Sequence, residues 1–124
     1  MSLRTPIARA RGLGSAKEGV SHWWWQRVTA IALVPLTLWL AVGVASMAGA
    51  AHAVVVAWIG SPIVAAGLIM FTVTLLYHTV LGMQVVVEDY VHHELVKLGI
   101  LVAFKLAAIV LGIMAVLSIL RIAL

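Results

Sequence analysis

Cysteine is absent from this 124-residue chain. No disulfide framework, thiolate metal site, iron–sulfur cluster or thiol nucleophile can therefore be built from it alone. Charge is almost as scarce: charged residues make up 10% of the sequence, and only four are acidic. Between Arg27 and Glu88 there is no Lys, Arg, Asp or Glu at all. A water-soluble domain of this size needs charge on every element, whereas a bilayer core penalises each unpaired polar group by several kcal/mol. The sequence pI of about 10.2 would suit a nucleic-acid ligand. The basic residues form no face that could bind it, so no nucleic-acid partner is expected.

What the chain has in abundance is apolar length, with 65% hydrophobic residues. Three segments are long enough to cross a bilayer, each crossing requiring about 20 residues. They run over about 28–48, 63–87 and 98–120. The expected fold class is all-α, an integral membrane protein with three transmembrane helices in one domain covering 1–124. Residues 1–22 form a polar, basic N-terminal tail. Gly49-Ala-Ala-His-Ala and Trp58-Ile-Gly-Ser-Pro62 read as the first connection, with Pro62 opening the second helix. Glu88 to Lys97 reads as the second connection and the only acidic one. A cleaved secretory signal is set aside, because the first apolar run is too long and contains Pro35 and Trp39.

Arg4, Arg9, Arg11, Lys17 and Arg27 precede the first span, and Lys97 precedes the third. The first connection carries no Lys or Arg. The positive-inside rule then puts the N-terminus and the second connection on the cytoplasmic or matrix side. The expected location is a bacterial cytoplasmic membrane or a mitochondrial inner membrane. Trp23-Trp24-Trp25 suits an interfacial aromatic belt, with Trp58 as its counterpart opposite. Pro35 should kink the first helix.

One histidine, His78, lies deep inside the uncharged stretch, and an ionisable side chain there is a functional-site candidate. On a helix, Gly67, Phe71, Thr74, His78 and Gly82 share a face. Imidazole is a favoured axial ligand of haem iron, and glycines near it leave room for a flat macrocycle. The competing reading is that small residues permit close helix packing and His78 donates one interhelical hydrogen bond. Asp89 and Tyr90 follow eleven and twelve positions later, about 16 Å or more along a helix and near the membrane boundary. A tyrosine hydroxyl can donate to a quinone carbonyl with a carboxylate beside it; an interfacial tyrosine next to a solvated acid accounts for the same pair. Arg27 is either a topology anchor or a partner for an anionic group. Lys105 is expected to snorkel, and His22 and His52 to take no part in a site. His92-His93 lacks a third ligand at convincing spacing for zinc.

The run His78-Thr-Val-Leu-Gly82-Met83-Gln84-Val-Val-Val-Glu-Asp89-Tyr90 resembles the signature of the small hydrophobic membrane anchors of succinate dehydrogenase, respiratory complex II. That family carries His, then Gly and Met four and five positions on, then Asp-Tyr at eleven and twelve. Arg27-Val-Thr-Ala-Ile31 is similar to the family's Arg-x-Thr-Ala segment. The resemblance covers about Gly19 to the last residue. It implies a subunit of succinate:ubiquinone oxidoreductase that catalyses nothing alone. Its implied partners are a second three-helix anchor (the cytochrome b subunit), an iron–sulfur subunit and a flavoprotein subunit, together with membrane lipid. It further implies a shared haem b and a site for ubiquinone. His78 would be one axial ligand to the haem iron and Gly82 a point of close haem approach. Arg27 would lie near the haem propionates, Tyr90 would be the quinone donor, and Asp89 would stand beside it. Two alternatives remain in view: an anchor of a related fumarate reductase using menaquinone, and a non-redox scaffold in which His78 only packs.

Overall fold

The computed structural model describes residues 5–10, 12 and 17–124; Arg4 and Arg11 of the expected topology signal lie outside them. All the regular elements among the described residues are helices. A single turn, α1 (Pro6–Ala10), precedes α2 (Lys17–Ser46), then come α3 (His52–Gly60), α4 (Pro62–Tyr90) and α5 (Glu94–Ala123). Three of them, α2, α4 and α5, have the length and apolar content to cross a membrane. They overrun the expected spans at nearly every end, because helical hydrogen bonding continues into the interfacial layer after apolar composition stops. Only at its C-terminal end does α2 stop short. Turns at Met47 and Ala48 and a glycine with φ 79° at Gly49 close it, a backbone conformation suited to glycine.

Two connections differ from expectation. The first is not a loop: nine of its residues form α3, which is apolar after its first residue, His52, and has no buried residue. No cap side chain or polar face in the sequence signals it. The second is shorter than expected, because α4 continues through Glu88, Asp89 and Tyr90 and α5 begins at Glu94. Only Val91, His92 and His93 lie between helices, and both Val91 and His93 are extended. Pro62 sits at the first turn of α4 as expected, where its missing N–H goes unneeded. Pro35 does not break α2, which is helical on both sides of it.

The three long helices run up, down and up in a row. α4 is central, flanked by α2 on one side and α5 on the other, and α2 and α5 do not approach each other. Small residues set the spacing. A Cβ on Gly67 would stand 2.8 Å from the Trp39 ring, and one on Gly43 would stand 2.7 Å from Trp58. Trp39 and Trp58 stack at 6.0 Å, tying α3 to the far end of α2. At the same end, Gly60 approaches the Ile122 carbonyl of α5.

Little of this surface is buried within the chain. The buried apolar residues are Val64, Ala65, Leu81 and Val87, all on α4, and Thr29 is the one buried polar residue among those described. No residue of α5 is buried. So much exposed apolar surface would aggregate in water. In a bilayer it meets lipid and partner helices at no cost.

Candidate functional site

The side-chain hydrogen bonds that join the membrane-length helices, among the described residues, lie at one place, the N-terminal half of α2 against the C-terminal half of α4. His78 is its centre. Its Nδ1 lies 2.9 Å from the Thr29 hydroxyl oxygen, and its Nε2 lies 3.4 Å from the Gln26 amide nitrogen. Thr29 donates its single hydroxyl proton back to the Trp25 carbonyl at 2.7 Å, with the Gln26 carbonyl at 3.2 Å as a secondary acceptor. Such back-bonding to the preceding turn is a common way to satisfy a hydroxyl in a helix. One turn further out, His22 Nε2 donates to the Leu81 carbonyl at 3.2 Å.

His22, Gln26 and Thr29 recur at steps of four and three, so one face of α2 presents all three to α4. This is the part that the sequence reading missed. His22 was expected to stand outside any site, yet it bonds across the helix pair. Thr29 lay inside the Arg-x-Thr-Ala segment without a role. The signal that could have found them is that polar stripe, which only gains meaning once α4 lies against it.

The Gln26 Oε1 atom is buried and has no hydrogen-bond partner. An unpaired buried polar atom costs about 1–3 kcal/mol, so the cluster has one unmet polar requirement. Gly82 faces the same side chain: a Cβ there would be 3.6 Å from the Gln26 amide nitrogen, an ordinary contact. Gly67, by contrast, is closed off by Trp39.

The other expected site residues stand apart from this cluster. Arg27 points away, exposed, with its guanidinium 4.9 Å from the centre of the Trp23 ring. That is a cation–π contact. Asp89 and Tyr90 are exposed at the end of α4, with Tyr90 79% accessible. At about 1.5 Å per residue, Tyr90 is roughly 18 Å along the helix axis from His78, so the two define separate levels. The side chains of Asp89 and Tyr90 make no hydrogen bond among the described residues. His52 starts α3 and is exposed, and no group of three or more His, Asp or Glu side chains among the described residues could hold a metal ion.

On one side of the row, α2, α4 and α5 enclose an open groove of about 830 Å³. Ser21, His22, Gln84, Glu88 and Lys105 contribute its polar wall, and Gln84 donates to Glu88 at 2.9 Å. Lys105 reaches this groove from within α5. It also borders an apolar groove of about 600 Å³ between α4 and α5.

These features define a class: a small multi-pass helical membrane protein in which, among the described residues, two of the three interhelical side-chain hydrogen bonds meet on one mid-span histidine. Residues 1–120 match the family described as succinate dehydrogenase/fumarate reductase transmembrane subunit. The chain belongs to this family, as a membrane anchor of succinate dehydrogenase. It is 38% identical over 106 residues to the succinate dehydrogenase hydrophobic membrane anchor subunit of Rickettsia bellii, covering 86% of this chain and 85% of the relative. The subunit of the same description from Paracoccus denitrificans is 35% identical over 86 residues, 69% of this chain and 67% of the other. The succinate dehydrogenase membrane anchor subunit of Reclinomonas americana is 37% identical over 101 residues, or 79% and 82%. No solved structure gives a significant match. An anchor works within a complex with other subunits, which fits the scant burial of its own surface.

Proposed function

We propose that this anchor holds one haem b through His78 and contributes part of the site where electrons from succinate reduce ubiquinone. The observation that carries the reading is the state of His78. With the Thr29 hydroxyl proton on the Trp25 carbonyl at 2.7 Å, its oxygen would accept from His78 Nδ1–H at 2.9 Å and leave the lone pair on Nε2. An imidazole that offers an Nε2 lone pair in an apolar span is suited to a haem iron once Gln26 yields that nitrogen. The unpaired Gln26 Oε1 also fits a cluster that another group completes. Gln26 is the side chain that would yield to such a group, and Gly82 leaves space beside it. Haem b, when bound, would supply one-electron storage between the electron donor and the quinone. The second axial ligand would come from a second three-helix anchor, since this chain offers no other mid-span histidine.

At the surface level, Tyr90 would donate a hydrogen bond to a ubiquinone carbonyl, and Asp89 beside it would hold or pass a proton. Arg27, at the mouth of α2, would pair with a propionate by leaving its contact with Trp23. The iron–sulfur and flavoprotein subunits would dock on this side, the cytoplasmic or matrix face of a bacterial or mitochondrial inner membrane. Support for that orientation is that the start of α2, the end of α4 and the start of α5 share one end, where Arg27 and Lys97 lie.

One observation favours a second reading. Both ring nitrogens already have partners on α2, so His78 could act as an interhelical clamp without a cofactor. A dithionite-reduced minus oxidised spectrum of the complex purified through this subunit decides between them. A sharp b-type α band with about one haem per complex supports the proposal; its absence from an intact assembly leaves the clamp. For the quinone part, Tyr90→Phe is expected to lower quinone reduction more than succinate-dependent reduction of a soluble dye. Equal loss of both would trace the defect to assembly instead.

A further inference from the structure

We infer that Thr29 is the residue that selects Nε2 as the iron-binding atom of His78 and sets how strongly that nitrogen donates. The inference rests on the haem reading above and adds to it the identity and tuning of the ligand atom.

A neutral imidazole carries one proton and can place it on either nitrogen, so a site needing one defined lone pair must decide between them. Three facts make Thr29 the deciding group. It is the buried polar residue among those described, at 6% exposure, so no water competes for its hydroxyl. Its Oγ1 lies 2.7 Å from the Trp25 carbonyl oxygen and 3.2 Å from that of Gln26, and each of these oxygens can only accept its proton. Both acceptors belong to its own helix and do not move relative to it. With the proton held by those carbonyls, Oγ1 turns its lone pairs to His78 Nδ1 at 2.9 Å, which favours an N–H on that nitrogen.

The opposite tautomer would set an unprotonated Nδ1 against that oxygen. The hydroxyl would then have to leave the Trp25 carbonyl to satisfy it. The Gln26 amide nitrogen, 3.4 Å from Nε2, acts in the same direction, because an N–H there also asks Nε2 for a lone pair. Ligand histidines commonly donate their second ring N–H to a neighbouring acceptor, which fixes orientation and raises basicity. Here the acceptor is a side-chain hydroxyl from the neighbouring helix. The helix pair thus orients the imidazole before any second anchor chain arrives.

The test uses the purified complex with the unaltered chain, Thr29→Val and Thr29→Ser. Valine keeps the shape and deletes the acceptor; serine keeps the acceptor and deletes a methyl group. Thr29→Val is expected to weaken haem retention about tenfold or more. It should also raise the haem midpoint potential, because a less electron-rich imidazole stabilises ferric iron less. Thr29→Ser should restore both. Wild-type retention and potential in Thr29→Val would overturn the inference and leave haem binding standing. Equal defects in the two variants would also overturn it, by assigning the effect to packing. If neither variant assembles, 15N-histidine resonances of the unaltered complex decide: an unprotonated His78 Nδ1, or iron on Nδ1, defeats the inference. Absence of haem from the unaltered complex would defeat the haem reading itself, and this inference with it.

Discussion

α4 has two long neighbours, and they hold it by different physics. Against α2 it makes the three interhelical side-chain hydrogen bonds found among the described residues, from His22, Gln26 and Thr29. Against α5 it packs more extensively but makes no such bond; the contact is van der Waals, with an apolar groove beside it. Lipid tails are as apolar as leucine side chains, so apolar contact alone gives a helix pair little preference for one geometry. Polar groups with directional partners give that preference, because each loses its bond when the helices rotate. The α2–α4 pair therefore looks built for precision, and the α4–α5 pair for adhesion.

This contrast can be broken, and the largest effect should come at its centre. His78→Ala removes both ring nitrogens and leaves Gln26 and Thr29 facing a void. Haem content is expected to fall to near background in the reduced-minus-oxidised spectrum. The three spans should stay inserted, as protease or labelling maps of the connections would show, because apolar length sets insertion. Normal haem in that variant would remove His78 from the ligand set.

A smaller effect should follow Gly67→Val. A Cβ there already falls 2.8 Å from a rigid Trp39 ring, and overpacking of this kind costs about 1–3 kcal/mol. The readout is the denaturant midpoint of the purified complex, together with its haem content. An unchanged midpoint would mean that Trp39 moves aside freely, and the α2–α4 pair would lose its claim to be the tighter one. Gly112→Ala should do least. The new Cβ would stand 3.2 Å from Leu76 Cδ1, the far end of a flexible side chain, and the cost should stay below about 1 kcal/mol. A loss as large as that of Gly67→Val would erase the distinction between the two interfaces.

Much of this was open to the sequence, and the misses have a common cause. The three long helices were legible because apolar length is a property of a segment by itself. His78 was legible because a lone histidine in an uncharged run stands out, and Pro62 because its backbone chemistry is local. α3 was missed because a nine-residue apolar helix between turn residues carries no polar face and no capping side chain. The second connection was read as longer than it is because acidity marks exposure, while α4 remains helical through Glu88 and Asp89 after leaving the apolar layer. His22 and Thr29 were passed over because a hydrogen bond between residues 49 or 59 positions apart leaves no trace in local spacing.

The sequence by itself determined that this chain lives in a membrane, crosses it three times and keeps a histidine at mid-depth. Those are one-dimensional facts, set by the cost of exposing charge and unpaired backbone to hydrocarbon. Only the tertiary structure decided that α4 is the central helix, that α2 rather than α5 supplies the polar partners, and which ring nitrogen meets Thr29. Each of these depends on how helices rotate and seat against one another, where glycine clearances and single hydrogen bonds choose among geometries of nearly equal apolar contact.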